Sequence, residues 1–377
     1  MRIGTGHWTA DSGWRFEAAE SERAAADLVL YFAAPETLAD GGRLRELRRH
    51  CPAAKLVGCT TGGEILADDV HDDSIVVAVI GFGSSRVELV SQHVDHCDGS
   101  HDVGRQLGGA LPKDGLRGVF VLSDGTRVNG SDLVRGLKEA LPAGTILTGG
   151  LAGDGAAFQT TLVGADADPA PGVVVALGFY GDHLKFQHGS FGGWDTFGPE
   201  RRITRSEGNI LFELDGQPAL DLYKRYLGDE ARNLPGSALL FPLRIRDPQD
   251  SSTALVRTVV GVDEERRAMI FAGDVPGGHF AQLMRGDFDN LIDGAGMAAR
   301  QAGADGAAEL AILISCIGRK LLLGQRTAEE VEAVADVLGP HCATVGFYSY
   351  GEISPHDFSG SCELHNQTMT ITVLRED

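Results

Sequence analysis

Residues 58–65 read GCTTGGEI, and residues 346–353 read GFYSYGEI. Each stretch begins with a glycine that is followed five residues later by Gly-Glu-Ile. Each also comes directly after an apolar run of the kind that forms a buried strand. Equal spacing at equivalent places in two distant segments indicates that a structural unit has been duplicated.

The repeated unit consists of a buried strand, a helix, a second strand that enters a turn, and a third strand. A further copy lies between the other two, and its turn at 149–155 reads GGLAGDG. In the last copy, Thr327 and Glu330 have the spacing of a capping box at a helix start. The predicted strands are residues 28–32, 55–58 and 75–80 in the first copy, 119–122, 145–148 and 173–177 in the second, and 310–314, 343–346 and 369–374 in the third.

These units predict an α/β fold of duplicated strand–helix–strand–strand units in mixed sheets, with N-terminal and C-terminal halves packed together. Between the second and third units, a helix is predicted to begin at Pro218. Segments 253–262 and 267–272 predict a hairpin. Because segment 231–237 carries turn-forming Asn, Pro and Gly, we place a domain boundary there, with domains 1–232 and 233–377.

The composition excludes several classes of function. The formal charge is −20, so nucleic acid is an improbable partner and an anionic membrane is disfavoured. Its one basic stretch, residues 43–49, is interpreted as the solvated face of a helix. Apolar runs fall far short of the roughly 20 residues that cross a bilayer. With no signal segment and six scattered cysteines, a cytoplasmic protein with reduced thiols is expected.

The Gly-Glu-Ile turns are the first candidates for a ligand site. In open α/β sheets, ligands bind beyond the carboxyl ends of strands, where both turns are predicted to lie. Glycine allows close approach of a ligand to the backbone, and Glu64 or Glu352 can accept an ammonium group. In the alternative interpretation, the glycines permit a tight turn and each glutamate caps nearby backbone.

Other side chains suit the remaining groups of an amino acid. Arg257 and Arg319 can grip a carboxylate through a guanidinium, although Arg257 is equally interpreted as a solvated hairpin edge. Tyr348 and Tyr350 alternate along an extended segment and are predicted to point the same way, either into a pocket or as ordinary sheet-face aromatics. Asn366 precedes the final strand and can offer its amide or stabilise a turn.

Catalysis, metal binding and phosphate binding receive weaker support. Cys59 or Cys316 is a nucleophile only if a basic neighbour lowers its pKa, and no histidine is placed to act as base. We therefore expect no enzyme activity, with a Cys/Glu enzyme as an alternative. The histidines and cysteine of segment 93–101 match no zinc spacing. The turn at 149–155 lacks the Lys of a P-loop.

Several stretches of the chain form one combined pattern: GCTTGGEI, GGLAGDG, ITRSEGNILFELDGQPALDLY, VRTVVGVDEERRAMIFAGDVPGG, SCIGRKLLLG and GFYSYGEISP followed by ELHNQTMTITVL. This pattern resembles the FIST sensory module. It implies a small-ligand sensor, with amino acids as proposed ligands, acting with a histidine kinase, a cyclic-dinucleotide enzyme or a chemotaxis receptor on a separate chain. No cofactor is expected, but one branch resembles haem-binding nitric oxide sensors, and haem is the alternative.

The leading hypothesis is a pocket between the duplicated halves, walled by the two Gly-Glu-Ile turns. The predicted ligand-binding residues are Cys59, Thr60, Thr61, Glu64, Gly150, Asp154, Arg257, Cys316, Arg319, Tyr348, Tyr350, Glu352 and Asn366.

Overall fold

The computed structural model of the chain describes residues 1–39, 41–249, 254–303, 308–355 and 361–377. Within these residues, no helix combines the length and the apolarity needed to cross a bilayer.

The first unit is built around a strand whose residues are all buried, as expected for a strand with cover on both faces. A short helix turns Leu44 and Leu47 inward, so that these two side chains join the hydrophobic cluster beneath it. The elements are β1 Arg2–Thr9, β2 Gly13–Phe16, α1 Glu20–Ala24, β3 Leu28–Ala33, α2 Pro35–Leu38, α3 Gly42–His50, β4 Lys55–Thr60, β5 Glu64–Leu66, β6 Asp69–His71 and β7 Ile75–Gly81.

The second unit repeats this order. Asn129 caps the N-terminus of its main helix, because its side-chain oxygen accepts the backbone N–H groups of Ser131 and Asp132. The apolar face of the same helix is buried. The elements are β8 Arg86–His93, α4 Ser100–Ala110, β9 Leu116–Ser123, α5 Gly130–Ala140, β10 Ile146–Leu151, β11 Val163–Ala165 and β12 Val173–Tyr180.

A nine-stranded antiparallel layer follows, with a hydrophobic cluster of its own. Its strand order is β19-β18-β22-β15-β16-β21-β20, with β14 beside β22 and β17 beside β16. The elements from the end of the second unit are β13 Leu184–Phe191, β14 Trp194–Thr196, β15 Arg201–Glu207, β16 Ile210–Leu214, β17 Gln217–Pro218, α6 Ala219–Leu227, β18 Leu243–Arg246, β19 Ala254–Arg257, β20 Val259–Asp263, β21 Ala268–Phe271 and β22 Phe280–Gly286.

The third unit closes the chain. Its last strand pairs with β13, which comes before the layer in sequence, so the layer is an insertion between strands of one sheet. The elements are α7 Phe288–Ala302, β23 Leu310–Cys316, α8 Ile317–Leu323, α9 Thr327–Leu338, β24 Ala343–Ser349, β25 Gly351–Pro355, β26 Cys362–His365 and β27 Met369–Glu376.

The three units form three six-stranded sheets with the same internal order. The sheets read β11-β4-β3-β7-β1-β2, β26-β25-β10-β9-β12-β8 and β6-β5-β24-β23-β27-β13. In each sheet the first and second strands of the unit are parallel, and the third strand is antiparallel to the first. The predicted mixed α/β fold of repeated units is therefore confirmed.

The units also exchange strands in a cycle. The strand after the first turn, β5, pairs with β24 of the third unit. The strand after the third turn, β25, pairs with β10 of the second unit. The strand after the second turn, β11, pairs with β4 of the first unit, which completes the cycle.

The core reflects this exchange. One hydrophobic cluster draws side chains from the central strands of all three units, including Leu28, Phe120 and Ile312. Within it, the rings of Phe32 and Phe347 lie 4.7 Å apart between centroids. Burial of such a shared apolar surface links the first and third units directly.

Two local predictions need correction. The predicted capping box is wrong: the first turn of α9 has no side-chain cap, and Glu330 is turned into the core. The predicted hairpin is only partly right. Position 253 lies outside the described residues, β19 pairs with β18, and only β20 and β21 form the hairpin.

The domain boundary stays a prediction. The segment around 232/233 forms two 3-10 turns, Gly228–Asn233 and Gly236–Leu240, which lie within the inserted layer.

Candidate ligand-binding site

Among the described residues, three cavities lie along the seam between the nine-stranded layer and the three-unit core. Their volumes are about 580, 510 and 360 Å³. We call the second of these the arginine cavity, because three of its wall residues are arginine or lysine. It is lined by Ser131, Arg135, Lys138, Ile245, Asp247, Leu255, Arg257, Asp274, Pro276, His279, Ser361 and Glu363.

Arg257 is the most buried cation of the arginine cavity. It sits at the end of β19 and is only 3% exposed. Its Nε donates to the carbonyl of Asp274 at 2.9 Å, and its Nη1 donates to the carbonyl of Leu364 at 2.9 Å. Its other terminal nitrogen, Nη2, has no hydrogen-bond acceptor among the described residues. The guanidinium is thus held by backbone and keeps one donor group unused.

The charge of Arg257 is not neutralised by direct contact. The guanidinium forms no salt bridge with a described carboxylate. Burial lowers the pKa of Arg257 to about 10, while the nearby Asp274 and Glu363 favour the charged form. The side chain therefore remains charged at neutral pH. A buried charge without a partner is costly, and a bound anion would remove that cost.

The other basic side chains of this cavity have partners. Lys138 lies 3.1 Å from Glu363, and Arg135 lies 3.6 Å from Asp274. Arg135 also pairs with Asp132 on its own helix. Within the described part of the wall, Arg257 is therefore the cation that is left for a ligand.

The arrangement suits a small zwitterion. The guanidinium of Arg257 can bind a carboxylate, and the carboxylates of Asp247, Asp274 and Glu363 can accept an ammonium group. Apolar wall residues, Ile245 and Pro276 among them, can cover an aliphatic portion.

Strand β19 separates the arginine cavity from the largest seam cavity. Neighbouring side chains of a strand point to opposite faces, so Arg257 lines the first and Val256 the second. Strand β26 also contributes to both cavities, because Glu363 lines the arginine cavity and His365 lines the largest seam cavity. The predicted residue Asn366 lines the largest seam cavity and is fully buried.

The two Gly-Glu-Ile turns meet through their backbones and do not enclose a described cavity. The N–H of Gly62 donates to the carbonyl of Tyr348 at 2.8 Å, and the N–H of Tyr348 donates to the carbonyl of Gly63 at 2.9 Å. The strand exchange brings the turns into this direct contact. It leaves neither glutamate on the wall of a described cavity, so the predicted pocket between them is replaced by a closed junction.

Both glutamates are saturated by equivalent donors. Glu352 accepts the hydroxyl of Ser349 at 2.8 Å and both the N–H and the hydroxyl of Thr368, at 3.1 and 2.9 Å. Glu64 accepts the hydroxyl of Thr61 and both donors of Ser74. Burial raises the pKa of each carboxyl to about 7.

The predicted residues Cys59, Thr60 and Cys316 are also buried at strand ends. The Thr60 hydroxyl accepts the N–H of Leu162 at 3.0 Å. Burial raises the pKa of both thiols well above the usual range, which opposes formation of a thiolate nucleophile.

Arg319 is not free to act as a carboxylate clamp. Its side chain is fully buried, and its Nη2 lies 2.8 Å from a carboxylate oxygen of Glu330. The same side chain donates to the carbonyls of Gly192 and Leu291. Glu330 also accepts the hydroxyl of Tyr348 at 2.8 Å. Arg319 therefore joins α7, α8 and α9.

Tyr348 and Tyr350 have different partners. Strand β24 ends at Ser349, and the chain then enters a different sheet, so the two residues do not share one continuous strand. The Tyr350 hydroxyl donates to Asp154, and its ring stacks on Phe158 with 4.3 Å between centroids. Tyr350 lines the smallest seam cavity.

The two predicted residues of the second turn, Asp154 and Gly150, both make close contacts within the protein. The Asp154 carboxylate accepts the N–H groups of Gln159 and Thr160, both at 2.9 Å. Gly150 lies opposite Glu352 in the β10–β25 pair. A Cβ at Gly150 would lie 2.8 Å from a methyl carbon of Ile314.

The sequence interpretation missed most of the arginine cavity. Three of its residues, Ser131, Arg135 and Lys138, recur at helical spacing on the second-unit helix, which marks them as one face. That spacing could have indicated that these three side chains line one surface together. The acidic residues Asp274 and Glu363 gave none, because they come from loops and strands far apart in sequence.

Comparison with known proteins identifies the relatives of this fold. The FIST N domain model matches residues 27–217, and the FIST C domain model matches residues 219–355. An uncharacterised protein from Methanocaldococcus jannaschii is 24% identical over 377 aligned positions, covering 88% of this chain and 69% of the relative. A crystal structure of cyanuric acid hydrolase from A. caulinodans aligns with a TM-score of 0.37 and 9% identity, over 94% of this chain and 91% of that one. This TM-score is too low to transfer a fold or an activity.

The matched regions together define a two-part α/β sensory module. The chain belongs to the FIST family, whose domains are signal-transduction sensor domains.

Proposed function

We propose that this protein senses an amino acid or a similar small carboxylate in the arginine cavity and signals to a separate output protein. The supporting observation is Arg257, a buried guanidinium with no carboxylate partner among the described residues and an unused Nη2. A ligand carboxylate would complete this site through charge-assisted hydrogen bonds.

The position of the cavity supports coupling to an output. Its walls come from α5 of the second unit, from β18 and β19 of the inserted layer, and from β26 of the third unit. A ligand that bridges these elements would favour the conformation in which they are packed together. Such a difference in affinity between conformations is what allows a ligand to shift a population.

A thermal-shift screen tests the proposal. The panel contains amino acids, small carboxylic acids lacking an amine, and amines lacking a carboxylate. A ligand at 100 times its dissociation constant adds roughly 2.7 kcal/mol to stability, so binding is readily visible. We expect a rise in melting temperature for at least one carboxylate and none for the corresponding amine.

Arg257→Lys is the decisive variant, because lysine keeps the positive charge but lacks the planar guanidinium that binds a carboxylate through two N–H groups. We expect the ligand-induced shift to disappear. Arg246→Lys is the matched control: Arg246 lies on neighbouring β18, pairs with Glu200 at 2.8 Å and does not line the cavity. A flat screen with folded protein, or a full shift retained in Arg257→Lys, would refute the proposal.

A further inference from the structure

A separate cavity of about 390 Å³ lies beneath α3, between this helix and the loop that follows β11. We call it the α3 cavity. It shares no lining residue with the arginine cavity. Its lining residues are Tyr31, Leu44, Arg45, Arg48, Arg49, Leu56, Asp166, Ala167 and Asp168.

The basic stretch of the sequence forms one side of the α3 cavity. Arg45, Arg48 and Arg49 are three and four residues apart, so they share a face of the helix. Arg48 pairs with Asp166. Arg49 has no hydrogen bond or ion pair with a described residue. Arg45 and Arg49 are exposed, as the interpretation of this stretch as a solvated helix face expects, and they also line the cavity.

Tyr31 provides a second and independent indication of a ligand. The side chain is 1% exposed, and its hydroxyl has no hydrogen-bond partner among the described residues. A Cβ at Gly164 would lie 1.9 Å from this hydroxyl oxygen, so the hydroxyl lies against the backbone of β11, the strand that leads into the loop lining the cavity. A buried hydroxyl that lacks a partner is costly, and a ligand acceptor at the base of the cavity would remove the cost.

We propose that the α3 cavity binds a small phosphate-bearing molecule. Arg49 would hold the phosphate oxygens, Arg45 would add positive charge beside it, and the Tyr31 hydroxyl would supply a neutral donor at the base. A phosphate monoester carries close to two negative charges at neutral pH, which matches more than one guanidinium. The volume suits a small metabolite. The carboxylate of Asp168 would repel an anion bound at the same site. Removing its charge therefore tests whether the ligand is negatively charged.

Isothermal titration calorimetry at fixed ionic strength tests this site with inorganic phosphate, ribose 5-phosphate and succinate. We expect ribose 5-phosphate to bind. Because each variant removes one charge, Arg49→Gln should weaken binding by about tenfold, and Asp168→Asn should strengthen it. Arg43→Gln is the matched control on the same helix, since Arg43 pairs with Glu46 at 2.6 Å and does not line the cavity.

Tyr31→Phe separates a ligand role from a structural one. It removes a hydroxyl that lacks a partner, so the unliganded protein should melt no lower than wild type while phosphate binding weakens. Binding of inorganic phosphate with equal affinity in all variants would overturn the proposal, as would binding of succinate without ribose 5-phosphate, or no binding by either phosphate.

The outcome does not depend on the proposed amino-acid site. Arg257→Lys should leave ribose 5-phosphate binding unchanged, and Arg49→Gln should leave the amino-acid thermal shifts unchanged. Loss of phosphate binding in Arg257→Lys would count against a separate site.

Discussion

Glu64 and Glu352 show how duplication reaches the level of single side chains. Each carboxyl is buried and accepts a hydroxyl from the residue three positions earlier. Each also accepts the N–H and the hydroxyl of the residue that precedes the third strand of its unit. The matching residues of the two turns therefore form equivalent hydrogen bonds, in which each glutamate accepts a nearby backbone N–H group. This agrees with the alternative interpretation, in which each glutamate caps nearby backbone.

This burial predicts a dependence of stability on pH. Burial raises the pKa of Glu352 from 4.5 to about 7, so the folded state binds the proton more tightly than the unfolded state. The resulting stability is fully present below about pH 4.5 and is lost as the pH rises through about 7. The loss amounts to on the order of 3 kcal/mol for one carboxyl.

Glu352→Gln tests this dependence, because glutamine keeps the shape and does not titrate. We expect the free energy of unfolding, measured by urea denaturation across this pH range, to fall less steeply in the variant than in wild type. Glu332→Gln, an exposed substitution on α9, should leave the wild-type slope in place. Identical slopes for wild type and Glu352→Gln would contradict the prediction.

At the level of elements, the three units share a glycine at an equivalent position of the second strand. Only in the first and third units does this glycine belong to the matching sequence stretches. A Cβ at Gly58 would lie 1.9 Å from the carbonyl oxygen of Tyr31. At Gly149 and Gly346 a Cβ would lie 2.0 Å from the equivalent carbonyl on the first strand.

The second unit has no glutamate in its turn. There Asp124 accepts the N–H of Gly172 at 2.6 Å and the hydroxyl of Thr161 at 2.9 Å.

Gly149→Ala should be strongly destabilising. The residue has a φ of +144°, and the added Cβ meets backbone that cannot move aside. We expect a loss of roughly 2–5 kcal/mol, read from urea denaturation. Gly109→Ala is the matched control on α4, where no atom lies within 4 Å of the added Cβ. It should raise stability by about 0.5–1 kcal/mol. Equal effects of the two substitutions would refute the steric argument.

At the level of the whole molecule, local sequence patterns predicted the units and their strands, whereas the long-range pairing of strands could not be predicted from sequence. Apolar runs and turn spacing were enough to predict three units and their strands. They did not predict the exchange of β5, β11 and β25, because similar strand edges compete for each partner and the choice depends on closure of the whole chain. Arg257 was predicted from its residue type and strand. Its isolation from carboxylates became visible only once the layer was packed on the core.

The strand exchange predicts that the two predicted domains do not fold separately. Fragment 1–232 lacks β24, the partner of β5, and also lacks β25, which covers the edge of β10. It also lacks the strands from β18 onward that share a hydrophobic cluster with α6. We therefore expect this fragment to show no cooperative melting by circular dichroism.

Fragments 1–232 and 233–377, when expressed together with a tag on one of them, should co-purify and recover a cooperative transition, because each supplies the strands that the other lacks. A protease site inserted in full-length protein at the exposed turn 264–265 is the control, since cleavage there severs only a hairpin turn. Cooperative unfolding of fragment 1–232 alone would show that the first two units form a complete core without the third.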